Sequence, residues 1–409
     1  MSFNEISRNI NTMITSNKEK KNFAEYPTPY VLRKEMINSV PIYFWKNKNR
    51  KVLEPCCGKG GFLIDVIAKF MKYLDIPFEE RYQHIVENIL YFGDINSKNV
   101  NICRKILGNY DLNYFIGDTL EMDLKGFDLV VGNPPYNNLG IKETGNTLYQ
   151  KFIKKALIDW LNPKGFLLFV TPPAWRKPMS EHSKNYGMYD LMTRQNHMIY
   201  LEIHDAKDGK ETFDAHTRYD WYLIQKKNPR EDGKFLKTEV IGEDGNKQII
   251  DLSKFPWLPN FDFRFIQKLF AKPGKKTVDV IGDLRYHTKK PFMSKRKTKN
   301  YRFVCVHGTP KKGLSFYYSS SDQHGHFKVP KVIFGNTSVA LSFIDEKGEY
   351  CITEHAIGII DTPKNMEKIL RALQSPKMRE LLKACLWSTY QIDWRIFLSF
   401  KKDFYKEFL

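Results

Sequence analysis

No run of eighteen apolar residues occurs in this sequence, so no membrane-spanning helix is expected. The first twenty residues are polar and lack the apolar core of a secretory signal, which argues against export. The 6 cysteines (Cys56, Cys57, Cys103, Cys305, Cys351 and Cys385) show no CxxC spacing and no accompanying pair of histidines. Neither a zinc site nor a disulfide frame is therefore expected, no metal is called for, and a reducing cytoplasm fits. Internal repeats and low-complexity tracts are absent, as is a PD…(D/E)xK cluster, so no nuclease is expected in this chain. Acid is missing altogether between Leu284 and Ser321, a stretch that holds Arg285, Lys289, Lys290, Lys295, Arg296, Lys297, Lys299, Arg302, Lys311 and Lys312.

What is present is a folded, basic chain of 409 residues, long enough for two domains with separate cores. Hydrophobic residues make up 42%, too many for a disordered protein. Against 46 acids stand 65 lysines and arginines, a net charge of +19 that points to a polyanionic partner, nucleic acid first.

The first half alternates strand and helix. Strands are expected at Lys51–Pro55, Ile89–Ile95, Tyr114–Gly117, Phe127–Gly132 and Gly165–Thr171, with helices at Phe62–Tyr73 and Leu148–Leu161. That alternation implies a parallel sheet covered on both faces. His197–His204 and Arg218–Gln225 follow, joined by a loop without a convincing crossover helix, as an antiparallel closing strand requires. After Lys226-Lys227-Asn228-Pro229 the texture changes to short mixed strands, including Pro330–Phe334 and Tyr350–Glu354. The boundary is placed near 228, dividing the chain into 1–228 and 229–409.

The strand Phe127–Gly132 runs directly into Asn133-Pro134-Pro135-Tyr136. Prolines stop the strand there and hold an amide and an aromatic ring at its carboxyl end, the edge where open α/β sheets bind ligands. An amide oxygen beside a backbone carbonyl suits an incoming –NH2 group, and the tyrosine offers a face to a flat heterocycle. Upstream, Glu54-Pro55-Cys56-Cys57-Gly58-Lys59-Gly60-Gly61 joins a strand to a helix, with glycines that permit positive φ and close approach of a ligand. It is neither a dinucleotide fingerprint nor a phosphate loop. Asp94 and Asp118 end the next two strands. Singly, each reads as a strand-end or N-cap residue; together they suit a nucleoside, Asp94 taking ribose hydroxyls and Asp118 an adenine amino group. Thr28 is placed to cap a helix that Pro29 starts.

The order of the Thr28-Pro29 segment, the glycine turn and the NPPY tetrapeptide resembles the gamma class of adenine-N6 DNA methyltransferases. The resemblance covers roughly residues 20–228. It implies a seven-stranded Rossmann-like sheet followed by a mixed α+β target-recognition domain, with S-adenosylmethionine as cofactor. On that resemblance Thr28, Pro29, Glu54, Pro55, Gly58, Gly60, Asp94, Asp118 and Asn133 hold the cofactor, and Asn133, Pro134, Pro135 and Tyr136 carry catalysis. Tyr136 would stack on a base rotated out of the duplex, with Phe213 as its opposite face. Tyr219 and Trp221 compete for that role, reading otherwise as strand residues. Asn137 to Thr147 reads as a loop over the site. Cytosine-C5 enzymes use a Pro-Cys nucleophile, but here Cys56 and Cys57 lie in the glycine turn and read as small turn residues.

The implied activity is site-specific methylation of adenine N6 in duplex DNA, the modification half of a restriction–modification system. Lys289, Lys290, Lys295, Arg296, Lys297, Lys299 and Arg302 would contact the DNA, although such a run also suits a merely solvated face. A monomer in the cytoplasm is expected, with a separate nuclease acting on the same site. Three other amino groups remain open as substrates: RNA adenine, cytosine N4 and protein glutamine. So does a non-catalytic DNA-binding protein on this fold.

Overall fold

The computed structural model describes residues 27–137, 147–183, 185–226, 237–387 and 391–409. The chain forms two compact units. The first holds residues up to Trp175 together with Glu181–Ser253, the second Arg176–Ser180 together with Lys254–Leu409.

The first unit is built on β1 (Val52–Glu54), β2 (Leu90–Asp94), β3 (Asn113–Ile116), β4 (Phe127–Gly132), β5 (Leu161–Thr171), β6 (His197–His204), β7 (Tyr219–Gln225), β8 (Thr238–Ile241) and β9 (Lys247–Ile250). They lie in one sheet in the order β3-β2-β1-β4-β5-β7-β6-β8-β9. Strands β1 to β5 pair in parallel, and β7 enters antiparallel between β5 and β6. Val52–Glu54 and Leu129–Gly132 are buried throughout, as strands covered on both faces must be. The helices that matter for the site are α1 (Tyr30–Ser39), α2 (Gly61–Tyr73), α3 (Ser97–Leu107), α4 (Tyr149–Lys155) and α5 (Ala206–Phe213). Phe44, Trp45, Phe70 and Phe166 meet in tilted and edge-on contacts that fasten α2 to β5.

Three expectations are corrected here. The sheet has nine strands, not seven, because β8 pairs in parallel with β6 and β9 folds back on β8. Thr238 and Val240 are buried by that pairing, so the hairpin covers what would otherwise be an open sheet edge. For the same reason the first unit closes at Ser253 and not at 228. Finally, β6 and β7 are linked by the helix α5, which Asp205 caps by accepting from Lys207 N and Asp208 N.

The second unit mixes two four-stranded sheets with helices. One sheet orders β10 (Asp279–Ile281), β17 (Ala356–Ile360), β14 (Lys331–Gly335) and β15 (Phe343–Asp345); the other orders β11 (Met293–Ser294), β13 (Ser315–Ser319), β12 (Phe303–Gly308) and β16 (Cys351–Ile352). Helices α6 (Pro363–Gln374) and α7 (Pro376–Ala384) bury Met366, Ile369, Leu373, Met378 and Leu381 in its largest apolar cluster. The absence of a disulfide is also corrected. Parallel pairing of β12 with β16 sets Cys305 opposite Cys351, and the two are bonded. Their separation of 46 residues carries no spacing signal, since tertiary register alone brings them together. Among the described residues no helix is long and apolar enough to cross a membrane.

Candidate active site

The carboxyl edge of β1, β2, β3 and β4 gathers most of the residues singled out from the sequence. After Glu54 the chain turns through Gly58 at φ 49° and Gly60 at φ 86°, and α2 starts at Gly61. These left-handed positions favour glycine. The turn is clamped from β2 and from the segment that follows β3. Cys57 N donates to Gly93 O at 2.9 Å, and Gly58 N donates to Asp94 Oδ2 at 2.9 Å. Thr119 Oγ1 donates to Pro55 O at 2.6 Å. Asp94 Oδ1 also accepts from Asn96 N at 2.7 Å, so this carboxylate organises the turn directly. Burial raises its pKa, and the two backbone N–H groups pull it back. Asp118 is exposed and caps a short turn by accepting from Leu120 N at 3.0 Å. Beside Asp94, Ile95 is 61% exposed, an apolar face at a polar edge that the sequence reading passed over.

Glu54 lies at the end of β1, 2% exposed, and its Oε2 is buried without a hydrogen-bond partner. Burial pushes its pKa well up, proximity to Cys103 adds to the rise, and Arg33 opposes it. Thr28 Oγ1 is likewise buried and unpartnered. That corrects the capping role expected for it: Pro29 occupies the N-cap of α1, with no side-chain cap. Arg33, which the sequence reading missed, donates from Nε to Asp65 Oδ2 at 2.6 Å and from Nη1 to Thr28 O at 2.5 Å. A Cβ on Gly61 would stand 2.9 Å from Arg33 Cζ, so the second glycine of the pair makes room for this guanidinium. An arginine amid the apolar face of α1 was the available signal.

Asn133 continues from β4, half-buried, with its carbonyl 3.7 Å from Cys56 Sγ. Pro134 is buried, and its carbonyl accepts no hydrogen bond from the described residues. Tyr136 is half-buried and meets Tyr149 edge-on at 6.4 Å. Burial, then Tyr149 and Asp220, push the Tyr136 phenol pKa upward, so the ring stays neutral. Leu148 N donates to Tyr136 O at 2.9 Å, and Asn137 bridges Thr147 in antiparallel fashion. Those contacts set the stem of the loop expected over the site; its residues 138–146 lie outside the described ones. Cys56 is held protonated, its pKa raised by burial and by Glu54, which disfavours a thiolate nucleophile.

Phe213 departs from expectation. It ends α5, is 6% exposed and packs edge-on against Tyr219 at 5.0 Å in the core. It therefore presents no free face opposite Tyr136. Its rivals Tyr219 and Trp221 are buried strand residues as well. In the second unit Lys289, Lys290, Lys295, Arg296, Lys297, Lys299 and Arg302 are all exposed, with Arg302 lying 4.9 Å over the Phe303 ring. No group of His, Cys, Asp and Glu able to hold a metal occurs among the described residues.

A parallel sheet reversed at one strand, with a glycine turn and an NPPY tetrapeptide at its carboxyl edge, defines a Rossmann-like methyltransferase fold. Over residues 11–165 the chain matches the family described as N-6 DNA Methylase. It is 23% identical over 178 residues to the modification methylase CviBIII of Paramecium bursaria Chlorella virus NC1A, a match covering 42% of this chain and 43% of that protein. The chain thus spans less than half of CviBIII. It is 21% identical over 389 residues to the Type II methyltransferase M.CvrRI of Paramecium bursaria Chlorella virus XZ-6E, covering 89% of this chain and 90% of that one. In fold it is similar to the Type IIL restriction-modification enzyme MmeI solved with DNA, with a TM-score of 0.57 at 11% identity over 96% of this chain and 70% of that one.

Proposed function

We propose that this chain methylates adenine N6 in duplex DNA at a defined sequence, using S-adenosylmethionine, as the modification enzyme of a restriction–modification system. One observation carries the reading: NPPY ends β4 beside a clamped glycine turn whose neighbours Glu54 and Thr28 keep buried, unpartnered oxygens. Those oxygens fit the cofactor, because a buried carboxylate and hydroxyl without partners suit an ammonium and other N–H donors. Glu54, Thr28 and the Pro29 segment would hold its amino-acid end, with Pro55, Gly58 and Gly60 against its backbone side. Asp94, Ile95 and Asp118 would hold its nucleoside. When bound it supplies a methyl group on a positively charged sulfur.

The protein's own part is orientation. Adenine N6 is a weak nucleophile because its lone pair is delocalised into the ring. Asn133 Oδ1 and the Pro134 carbonyl would accept its two amino protons, favouring a pyramidal nitrogen with the lone pair aimed at the methyl. Tyr136 would hold the ring of a base turned out of the stack. Positioning and fixed dipoles then lower the barrier without a covalent intermediate. The raised pKa of Cys56 agrees with that.

The test is incubation of unmethylated duplex DNA with methyl-labelled cofactor, followed by digestion and nucleoside separation. Label is expected in N6-methyladenine; label confined to RNA, protein or N4-methylcytosine overturns the reading. Asn133→Ala should lower kcat by about 10²–10³, the usual effect of deleting one polar group at a reacting centre, while cofactor binding survives.

A further inference from the structure

Thr28 and Pro29 lead into α1 with few ties of their own. Pro27 and Pro29 lack an amide hydrogen, Thr28 Oγ1 is unpartnered, and α1 begins without a side-chain cap. Among the described residues the one hydrogen bond of Thr28 is made by its carbonyl, which accepts from Arg33 Nη1 at 2.5 Å. The same guanidinium reaches α2. Its Nε donates to Asp65 Oδ2 at 2.6 Å, and a Cβ on Gly61 would stand 2.9 Å from Cζ and 3.0 Å from Nε and Nη1. Gly61 opens α2 directly after the left-handed Gly60 of the glycine turn. Arg33 is 6% exposed, on a helix whose Leu32, Met36 and Ile37 share one apolar cluster with Phe62, Leu63 and Val66 of α2.

An ion pair that merely fastened α1 to α2 would need Arg33 and Asp65 alone. Two observations exceed that. A second donor of the guanidinium goes to the Thr28 carbonyl, in the segment ahead of α1, and the positive charge acts on Glu54. Glu54 is faced by Arg33 from α1, Asp65 from α2, Asp94 from β2 and Cys103 from α3. Of these four, Arg33 alone is cationic. Burial and then Cys103 push the Glu54 pKa up, and Arg33 opposes them. A planar fork with donors in fixed directions serves Asp65 and Thr28 together, whereas a lysine supplies the charge without the fork.

We infer that Arg33 is a positioning residue for the cofactor, holding the Thr28 segment, the start of α2 and Glu54 in one frame against which the amino-acid end of S-adenosylmethionine is seated. The inference rests on the methyltransferase reading above. Arg33 touches no reacting atom in this role; it acts through Thr28 and Glu54. The nucleoside end is assigned to Asp94, Ile95 and Asp118, which belong to β2 and to the segments after β2 and β3, outside the hydrogen bonds of Arg33. Loss of the guanidinium should therefore fall on ligands that carry the amino acid and spare those that carry the nucleoside alone.

The experiment titrates S-adenosylhomocysteine and methylthioadenosine, which share the nucleoside and differ in the amino-acid end, into wild type, Arg33→Lys and Arg33→Met by calorimetry across pH. Thermal melting checks the fold. Arg33→Lys is expected to weaken S-adenosylhomocysteine roughly tenfold, the scale of one lost charge-assisted hydrogen bond, with methylthioadenosine affinity held. Arg33→Met should weaken it further and move the inflection of its pH profile upward, because Glu54 then has no cation beside it. Where Arg33→Met fails to fold, Arg33→Lys decides through the pair of ligands. Equal weakening of both ligands marks a merely structural pair and overturns the inference, as does no weakening of either. An unmoved inflection in a folded Arg33→Met overturns it too. Wild type that does not bind S-adenosylhomocysteine would instead bring down the cofactor reading, and the inference with it.

Discussion

Glu54 carries a linked proton. Burial raises its folded-state pKa above the 4.5 of a free glutamate, so the protonated form stabilises the ligand-free fold at low pH. That contribution fades as pH climbs through the raised value. A cationic ligand reverses the preference, because the ionised carboxylate then gains a partner. Cofactor affinity is accordingly expected to rise with pH up to the raised pKa and then level off. Glu54→Gln should flatten that profile and weaken binding by roughly tenfold, the scale of one lost charge-assisted hydrogen bond. Calorimetric titration of S-adenosylmethionine across pH checks both; an unchanged slope in the variant would remove Glu54 from the site. The type and place of Glu54 were readable, since an acid before spaced glycines marks the end of β1. That Thr28 caps nothing and leaves its hydroxyl buried was not, because capping depends on dihedrals that the Thr-Pro pattern leaves open.

At the level of elements, α1 and α2 meet through one buried ion pair. Arg33 and Asp65 are both under a tenth exposed, and Gly61 leaves the space in which the guanidinium sits. Asp65→Ala takes the carboxylate from a buried cation and should destabilise the fold by about 3–5 kcal/mol. Chemical denaturation measures this, and a change under about 1 kcal/mol would mean that water reaches the pair. The parallel strands were legible because their burial on both faces demands unbroken apolar runs, and Phe127–Gly132 falls where expected. The helix α5 was hidden, for AKDGKETF is mostly polar, with Ala206 and Phe213 at its ends, and depends on the Asp205 cap. Phe213 was misassigned with it: an aromatic expected in a loop turns inward once that segment is helical.

Across the whole molecule, charge separates roles. The net charge of +19 is drawn in part from an acid-free stretch of the second unit whose predicted contact residues are all exposed. DNA affinity should therefore fall steeply with salt, and Lys297→Ala and Lys299→Ala should each reduce the slope of log K against log[salt] by about one, alike on target and unrelated duplexes. A slope unchanged in both variants would make this face merely solvated.

By itself the sequence determined the chemistry on offer: the strand-ending NPPY, the glycine turn, the paired acids and the sign of the surface. These are local, set by residue type and short spacing, and they survive without knowledge of any long-range contact. Tertiary structure alone decided the two extra strands beyond β7, the bond between Cys305 and Cys351 and the Arg33–Asp65 pair. Each joins residues far apart in the chain, and which distant partners meet is fixed by register and packing, which no short window of sequence contains.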